Sequence, residues 1–183
     1  MGAPENGQRS RGLQSRERVL RVRNALTVKI RTTSYLPDIN VWLALSWALH
    51  PHSRKAWQWL RSATVVAEDP DLVLFCRITQ LGLLRLLSTP AVMGGSAVTI
   101  GEAWKTYRRW LDHPGVDFFR EPRDIDDLYE AATAPFSRQS APKVLGDCYL
   151  LALSEAAEAT LVTFDAALAA LARGRKRPVV VPD

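Results

Sequence analysis

The chain alternates short apolar runs of strand type with longer stretches of helical periodicity, and few folds accommodate that order. Residues 34–37 (SYLP), 71–75 (DLVLF), 116–119 (VDFF), 160–164 (TLVTF) and 178–181 (PVVV) read as strands. Between them, helices are predicted over 39–47, 52–63, 77–87, 100–111, 124–132, 143–157 and 166–171, with Pro51 and Pro90 as stops. In IGEAWKTYRRWL, for example, Ala103, Trp104, Tyr107 and Leu111 fall on one side at helical spacing. Strands separated by helices predict an α/β fold with a mainly parallel central sheet and helices on both faces. No internal repeat or hinge divides residues 34–183, so one domain is expected there.

At 183 residues and 47% hydrophobic composition, the chain can bury a sizeable core. The net charge of +5 is concentrated at one end. Residues 1–33 carry eight basic groups against Glu5 and Glu17, a surplus of six, so the other 150 residues carry −1. The basic balance is therefore a property of a Gly-, Ser-, Arg- and Gln-rich extension expected to be disordered, and gives the domain no basic face. Cys76 and Cys148 each sit in an apolar segment without CxxC or Cys/His spacing, which argues against zinc and suits reduced, buried thiols. No run approaches the roughly 18 apolar residues of a membrane span, and residues 1–33 lack the core of a secretory signal.

Three aspartates stand where an apolar segment meets a helix: Asp38 in SYLPDINVWLAL, Asp147 in KVLGDCYLLAL and Asp165 in ATLVTFDAAL. The apolar context predicts burial for each, and buried carboxylates without a counter-charge are costly, so a shared cation is the simplest compensation. Ligands of an open parallel sheet sit beyond the carboxyl ends of its strands; Asp38 and Asp165 each follow a predicted strand, which aims them into one crevice. Asp147 reaches it from a helix whose same side carries Val144, Leu150 and Leu151. Taken singly, Asp38 and Asp165 are equally well read as helix N-caps, worth about 1 kcal/mol each. Asp147 resists that reading. It lies one turn inside its helix, with Lys143 as its only charged neighbour at that spacing and in the weaker order for an ion pair.

Asn40 and Thr163 accompany the aspartates at two residues' distance, as turn-formers or as accessory groups that steady a carboxylate or a water. His50, His52 and His113 flank prolines in loops and show no HxxxH or HExxH spacing, which argues against a histidine-ligated metal. Trp57 and Trp59, two apart, cannot share one helix face, which leaves one of them for a partner or for an unusually wide core stripe.

Taken together and in order over about residues 35–183, the runs LPDINVWLAL, FCRITQLGLLRLL, GDCYLLAL and LVTFDAAL resemble the PIN-domain ribonucleases, in particular the toxins of VapBC-type toxin–antitoxin pairs. The resemblance implies a single PIN-like domain in which acidic residues hold Mg²⁺ or Mn²⁺ and which cleaves single-stranded or looped RNA. It makes Asp38 the first-strand carboxylate, Asp147 the helix carboxylate and Asp165 the late-strand carboxylate. It further implies a small cognate antitoxin protein as partner and admits a homodimer; the reduced cysteines and the lack of an apolar span predict a cytoplasmic setting without a membrane. Many members place a glutamate in the helix after the second strand; here RITQLGLLR has Gln80, which offers a carbonyl oxygen without charge. Glu102 in the next helix either supplies that charge or lies exposed on an amphipathic surface. Arg77 and Arg85 flank Gln80 as RNA-phosphate contacts or as solvated helix ends. The alternative reading is a catalytically silent PIN fold that binds RNA or protein, with Gln80 as its mark. A phosphatase with an aspartyl nucleophile fits less well, because Asn40 stands where that chemistry wants a second acid.

Overall fold

The structure, a computed structural model, describes residues 33–64 and 71–183. Residues 1–32, and with them nearly all of the expected 1–33 extension, lie outside the described residues. Five parallel strands form one sheet: β1 (Ser34–Pro37), β2 (Leu72–Phe75), β3 (Val116–Phe118), β4 (Thr160–Val162) and β5 (Val179–Val180), in the order β3-β2-β1-β4-β5. Tyr35 lies opposite Val73, Leu36 opposite Leu161 and Val73 opposite Val116, which places β1 at the centre.

The side-chain alternation of the strands divides the core into two layers. Val73, Phe75 and Val162 point to one face, where they pack with α1 (Ile39–Ser46), α2 (Ser53–Thr64), α3 (Arg77–Leu87) and α5 (Ile100–Leu111). Leu36, Leu74 and Leu161 point to the other, against α6 (Ile125–Thr133), α7 (Val144–Ala156) and α8 (Ala166–Gly174). The first layer is built on aromatics: Trp42 stacks on Phe75 with ring centroids 3.6 Å apart, and Trp110 meets Trp42 edge-on while its indole N–H donates to Ser46 Oγ at 2.9 Å. Helix α1 is buried at five consecutive positions, Val41–Leu45, because it is wedged between the sheet and α3. That wedge depends on Gly82. A Cβ there would lie 2.5 Å from Cδ1 of Ile39, so only glycine lets the two helices approach so closely.

The predicted elements are present with boundaries shifted by a few residues. Pro90 does end the run of α3, but it also opens a four-residue helix, α4 (Pro90–Met93), where its missing N–H is no loss at the first helical position. Both cysteines are buried and free; Cys148 donates its thiol proton to the Ala132 carbonyl at 3.3 Å. No described helix is long and apolar enough to cross a membrane.

Candidate active site

Beyond the carboxyl ends of β1 and β4, a cavity of about 140 Å³ is lined by Asp38, Asn40, Thr79, Asp147 and Asp165 among the apolar side chains of Ile39, Ile78, Leu150 and Leu168. The three predicted carboxylates are thus brought to one place by a central strand, its neighbour and one helix. Their environments differ. Asp38 is 5% exposed and held on both oxygens: Oδ1 accepts from the Val41 N–H at 2.8 Å as the cap of α1, and Oδ2 accepts from the Thr163 hydroxyl. Asp147 is half-buried in the first turn of α7.

Asp165 departs from the expectation of burial, for its side chain is exposed. It stands three residues past the end of β4 as the cap of α8, where Oδ1 accepts from the N–H groups of Ala167 (2.7 Å) and Leu168 (3.2 Å). Capping and cavity-lining are therefore the same position for Asp38 and for Asp165; the two readings of the sequence coexist.

Burial, opposed only in part by the hydrogen bonds from Thr163, Val41 and Asn40, pushes the Asp38 carboxyl up to about 6, with the Asp165 charge adding to the rise. Burial raises the Asp147 carboxyl too, again with help from Asp165. The ion pair formed among the described residues, Arg177 with Glu155 at 3.9 Å, lies elsewhere. No described lysine or arginine compensates the three carboxylates.

Oxygen donors without a basic partner fit a hard divalent cation. The fit is loose. No three His, Cys, Asp or Glu side chains among the described residues are drawn together tightly enough to hold a metal ion as they stand. The reason is local: the Asp165 carboxylate is turned onto its own helix, and only its Oδ2 lacks a described donor. Asp38 and Asp147 are the better placed pair.

The accessory residues divide. Thr163 is fully buried and bonded to Asp38; Asn40 is exposed at the cavity rim. Thr79, the partner of Gln80 in the Thr-Gln pair, lines the cavity and closes a capping box with Cys76: its Oγ1 accepts from the Cys76 N–H at 3.0 Å. The signal was available in the Cys-Arg-Ile-Thr spacing ahead of an apolar run, the pattern of a capping box with cysteine in place of serine.

Gln80 is not at the carboxylate cavity. It accepts a hydrogen bond from the Arg77 guanidinium and, with Arg77, lines a larger cleft of about 730 Å³ beyond β2 and β3, together with Tyr107, Leu111, Asp117, Phe118, Arg120 and Glu121. Helical geometry separates them: Ile78 and Thr79 turn to one hollow, Arg77 and Gln80 to the other. Arg85, two turns further along α3, lines neither. Glu102 supplies no charge to the site, because its carboxylate caps α5, accepting from the Thr99 N–H at 2.9 Å and hydroxyl at 2.8 Å. The histidines are spent on local packing; His52 stacks on Phe164, and His113 accepts from the Gly115 N–H.

A family model described as the PIN domain matches residues 35–174. The chain belongs to the PIN domain family. Within it the chain is 39% identical over 137 residues to ribonuclease VapC41 of Mycobacterium tuberculosis, a match covering 72% of this chain and 89% of that protein. Ribonuclease VapC39 of the same organism is 32% identical over 136 residues, covering 73% and 90%. VapBC2 from Rickettsia felis, solved bound to a DNA fragment from its promoter, superposes with a TM-score of 0.61 at 11% identity over 82% of this chain and 100% of that one, a likeness of fold. PIN-domain ribonucleases of the VapC type depend on a divalent metal, in keeping with a cavity lined by three carboxylates.

Proposed function

We infer that this chain is a VapC-type toxin, an endoribonuclease that hydrolyses phosphodiester bonds of single-stranded or looped RNA with Mg²⁺, or Mn²⁺ in its place. The observation that carries the reading is the cavity beyond β1 and β4, which three carboxylates line with no basic side chain among the described residues to compensate them. Asp38 and Asp147 would hold the ion directly; Asp165, with Oδ2 left without a described donor, would reach it by turning or through a water. When bound, Mg²⁺ supplies charge neutralisation on the phosphate and lowers the pKa of a water for in-line attack. The rest of the work falls to the chain. Thr163 and the Val41 N–H fix the Asp38 carboxylate in one orientation, so no rotamer search precedes ion binding. The apolar floor of Ile39, Ile78, Leu150 and Leu168 keeps bulk water from the buried Asp38 carboxylate and would strengthen its hold on a cation.

By the same reading a small antitoxin protein covers the crevice, and two copies of the chain form a homodimer. Of the two tryptophans in α2, Trp59 is 8% exposed and belongs to the core, whereas Trp57 is 37% exposed. With Trp104 and Leu111, also exposed, Trp57 supports a protein-binding surface on α2 and α5. The two free, buried thiols suit a reducing cytoplasm.

The deciding experiment is Asp147→Asn, which keeps shape and removes one charge. RNA cleavage and toxicity on expression should fall by more than roughly a hundredfold, the upper end of what even an outer partner of a metal costs, while the fold is retained. Unchanged cleavage would show that the site is not a metal centre, and a parent protein inactive with both Mg²⁺ and Mn²⁺ would favour the silent binding module.

A further inference from the structure

The large cleft beside the carboxylate cavity is built to recognise something small. Gln80 and Tyr107 form its floor and are 5% and 4% exposed, so both side chains are more than nine-tenths buried. The Gln80 carbonyl is committed to Arg77, which directs its amide nitrogen elsewhere, and that nitrogen has no acceptor among the described residues. Neither that nitrogen nor the Tyr107 hydroxyl is sealed from solvent without a partner, so the cleft is their outlet. In the free protein water satisfies these groups, and whatever displaces that water from the cleft must offer them hydrogen-bond partners in its place.

The walls are chosen for a flat ring. The Arg77 guanidinium lies over the Phe118 ring at 5.0 Å, and both line the cleft, a planar cation and an aromatic ring of the kind that stacks on a flat ligand. Charge on the rim is balanced, Arg77 and Arg120 against Asp117 and Glu121, which disfavours a bare phosphate and suits a neutral group carrying both donors and acceptors on its edge. An unpaired nucleobase has these properties. Position agrees, because one turn of α3 lines both hollows, Arg77 and Gln80 facing the cleft and Ile78 and Thr79 the carboxylate cavity, so the two sites are neighbours along one helix.

We propose that this cleft binds one unpaired nucleobase of the RNA next to the scissile phosphate, with Gln80 and Tyr107 reading its edge and the Arg77 guanidinium stacking on its face. The proposal deepens the ribonuclease reading and rests on it for the nature of the strand.

The test uses the full chain, ¹⁵N-labelled and free of metal, titrated with each of the four nucleoside 5′-monophosphates while the Gln80 side-chain amide is followed by NMR. At least one nucleotide should shift that amide, and Gln80→Leu should weaken its binding roughly tenfold, the loss of one good base contact. In parallel, cleavage of an oligoribonucleotide pool randomised around the cut reads base preference at each position. Gln80→Leu should flatten the preference at one position beside the cut, and so should Arg120→Ala, an exposed rim variant that leaves the buried floor intact. The metal-free titration keeps the two readings apart: a parent that shifts with nucleotide yet cuts no RNA sinks the ribonuclease reading and leaves the base site standing. A Gln80 amide moved by none of the four nucleotides, or moved only by an antitoxin protein, overturns the proposal, as do unchanged cleavage preferences in both variants.

Discussion

Thr163 donates its hydroxyl proton to Oδ2 of Asp38, a residue 125 positions earlier in the chain, and in turn accepts from the backbone N–H of Asp165 at 2.9 Å. Parallel pairing of β1 with β4 makes this possible, for Pro37 lies opposite Val162 and the Asp38 N–H donates to the Val162 carbonyl at 2.9 Å. One hydroxyl thus ties together two of the three carboxylate positions.

Thr163→Val keeps the shape and removes the donor. The buried Asp38 carboxylate then loses a charge-assisted bond, at a cost of about 1–3 kcal/mol, or roughly 3–10 °C in melting temperature for a chain of this size. Cleavage should weaken and its acid limb move to higher pH, because one of the groups holding the Asp38 carboxyl down is gone. Thr163→Ser should restore both. A valine variant with the parental melting temperature and pH profile would show that the bond is ornamental.

The pH response of the metal-free protein follows from the Asp38 carboxyl at about 6, raised above its ordinary 3.8. A carboxyl raised by folding favours the folded state fully below the unfolded value and loses that contribution as pH rises through the folded one, here between about pH 4 and 6, at most roughly 3 kcal/mol. In EDTA the melting temperature of the parent should therefore fall over that window relative to Asp38→Asn, which has no proton to lose there. Mn²⁺ should reverse the trend, because the ion binds the charged form and its stabilisation grows with pH. Calorimetry from pH 4 to 7 with and without Mn²⁺ reads both effects, and parallel curves for parent and variant would remove Asp38 from the ion.

Gly82→Ala places a methyl group 2.5 Å from Cδ1 and 2.7 Å from Cγ1 of Ile39, the residue that follows Asp38 and lines its cavity. Overpacking there should cost about 1–3 kcal/mol and slow cleavage by displacing the start of α1. Adding Ile39→Val, which removes Cδ1, should recover part of both, giving a coupling energy in a double-mutant cycle. Additive losses would mean that the two helices part without consulting Ile39.

The sheet and its helices were legible in the sequence because the strand runs are short, apolar and bounded, as in TLVTF, and because helices such as Ile100–Leu111 carry one apolar face. The shared location of Asp38, Asp147 and Asp165 was legible too, since strand ends and helix turns have fixed directions. What could not be read was which way a helical residue turns when two hollows open on either side of it. Gln80 and Thr79 are adjacent in α3, and the helical turn between them sends one to the cleft and leaves the other at the carboxylates, a direction fixed only once the helix is docked on the sheet. The exposure of Asp165 was hidden for a similar reason: the apolar run before it belongs to a strand that ends three residues earlier.

Gln80→Glu discriminates between the two placements of that side chain. At the carboxylate cavity, the substitution would add a fourth acid and lower the Mg²⁺ or Mn²⁺ concentration needed for half-maximal cleavage, because hard cations respond to ligand charge. The observed neighbour is instead Arg77, whose guanidinium donates to the Gln80 carbonyl. The new carboxylate should form an ion pair with it on the wall of the cleft, where Coulomb attraction offsets much of the cost of burying the charge. Metal affinity, measured directly by Mn²⁺ titration, should then match that of the parent, while RNA binding weakens because a donor on the cleft floor has become an acceptor. Tighter Mn²⁺ binding in the variant would bring Gln80 back to the carboxylates and make the metal site one of four residues.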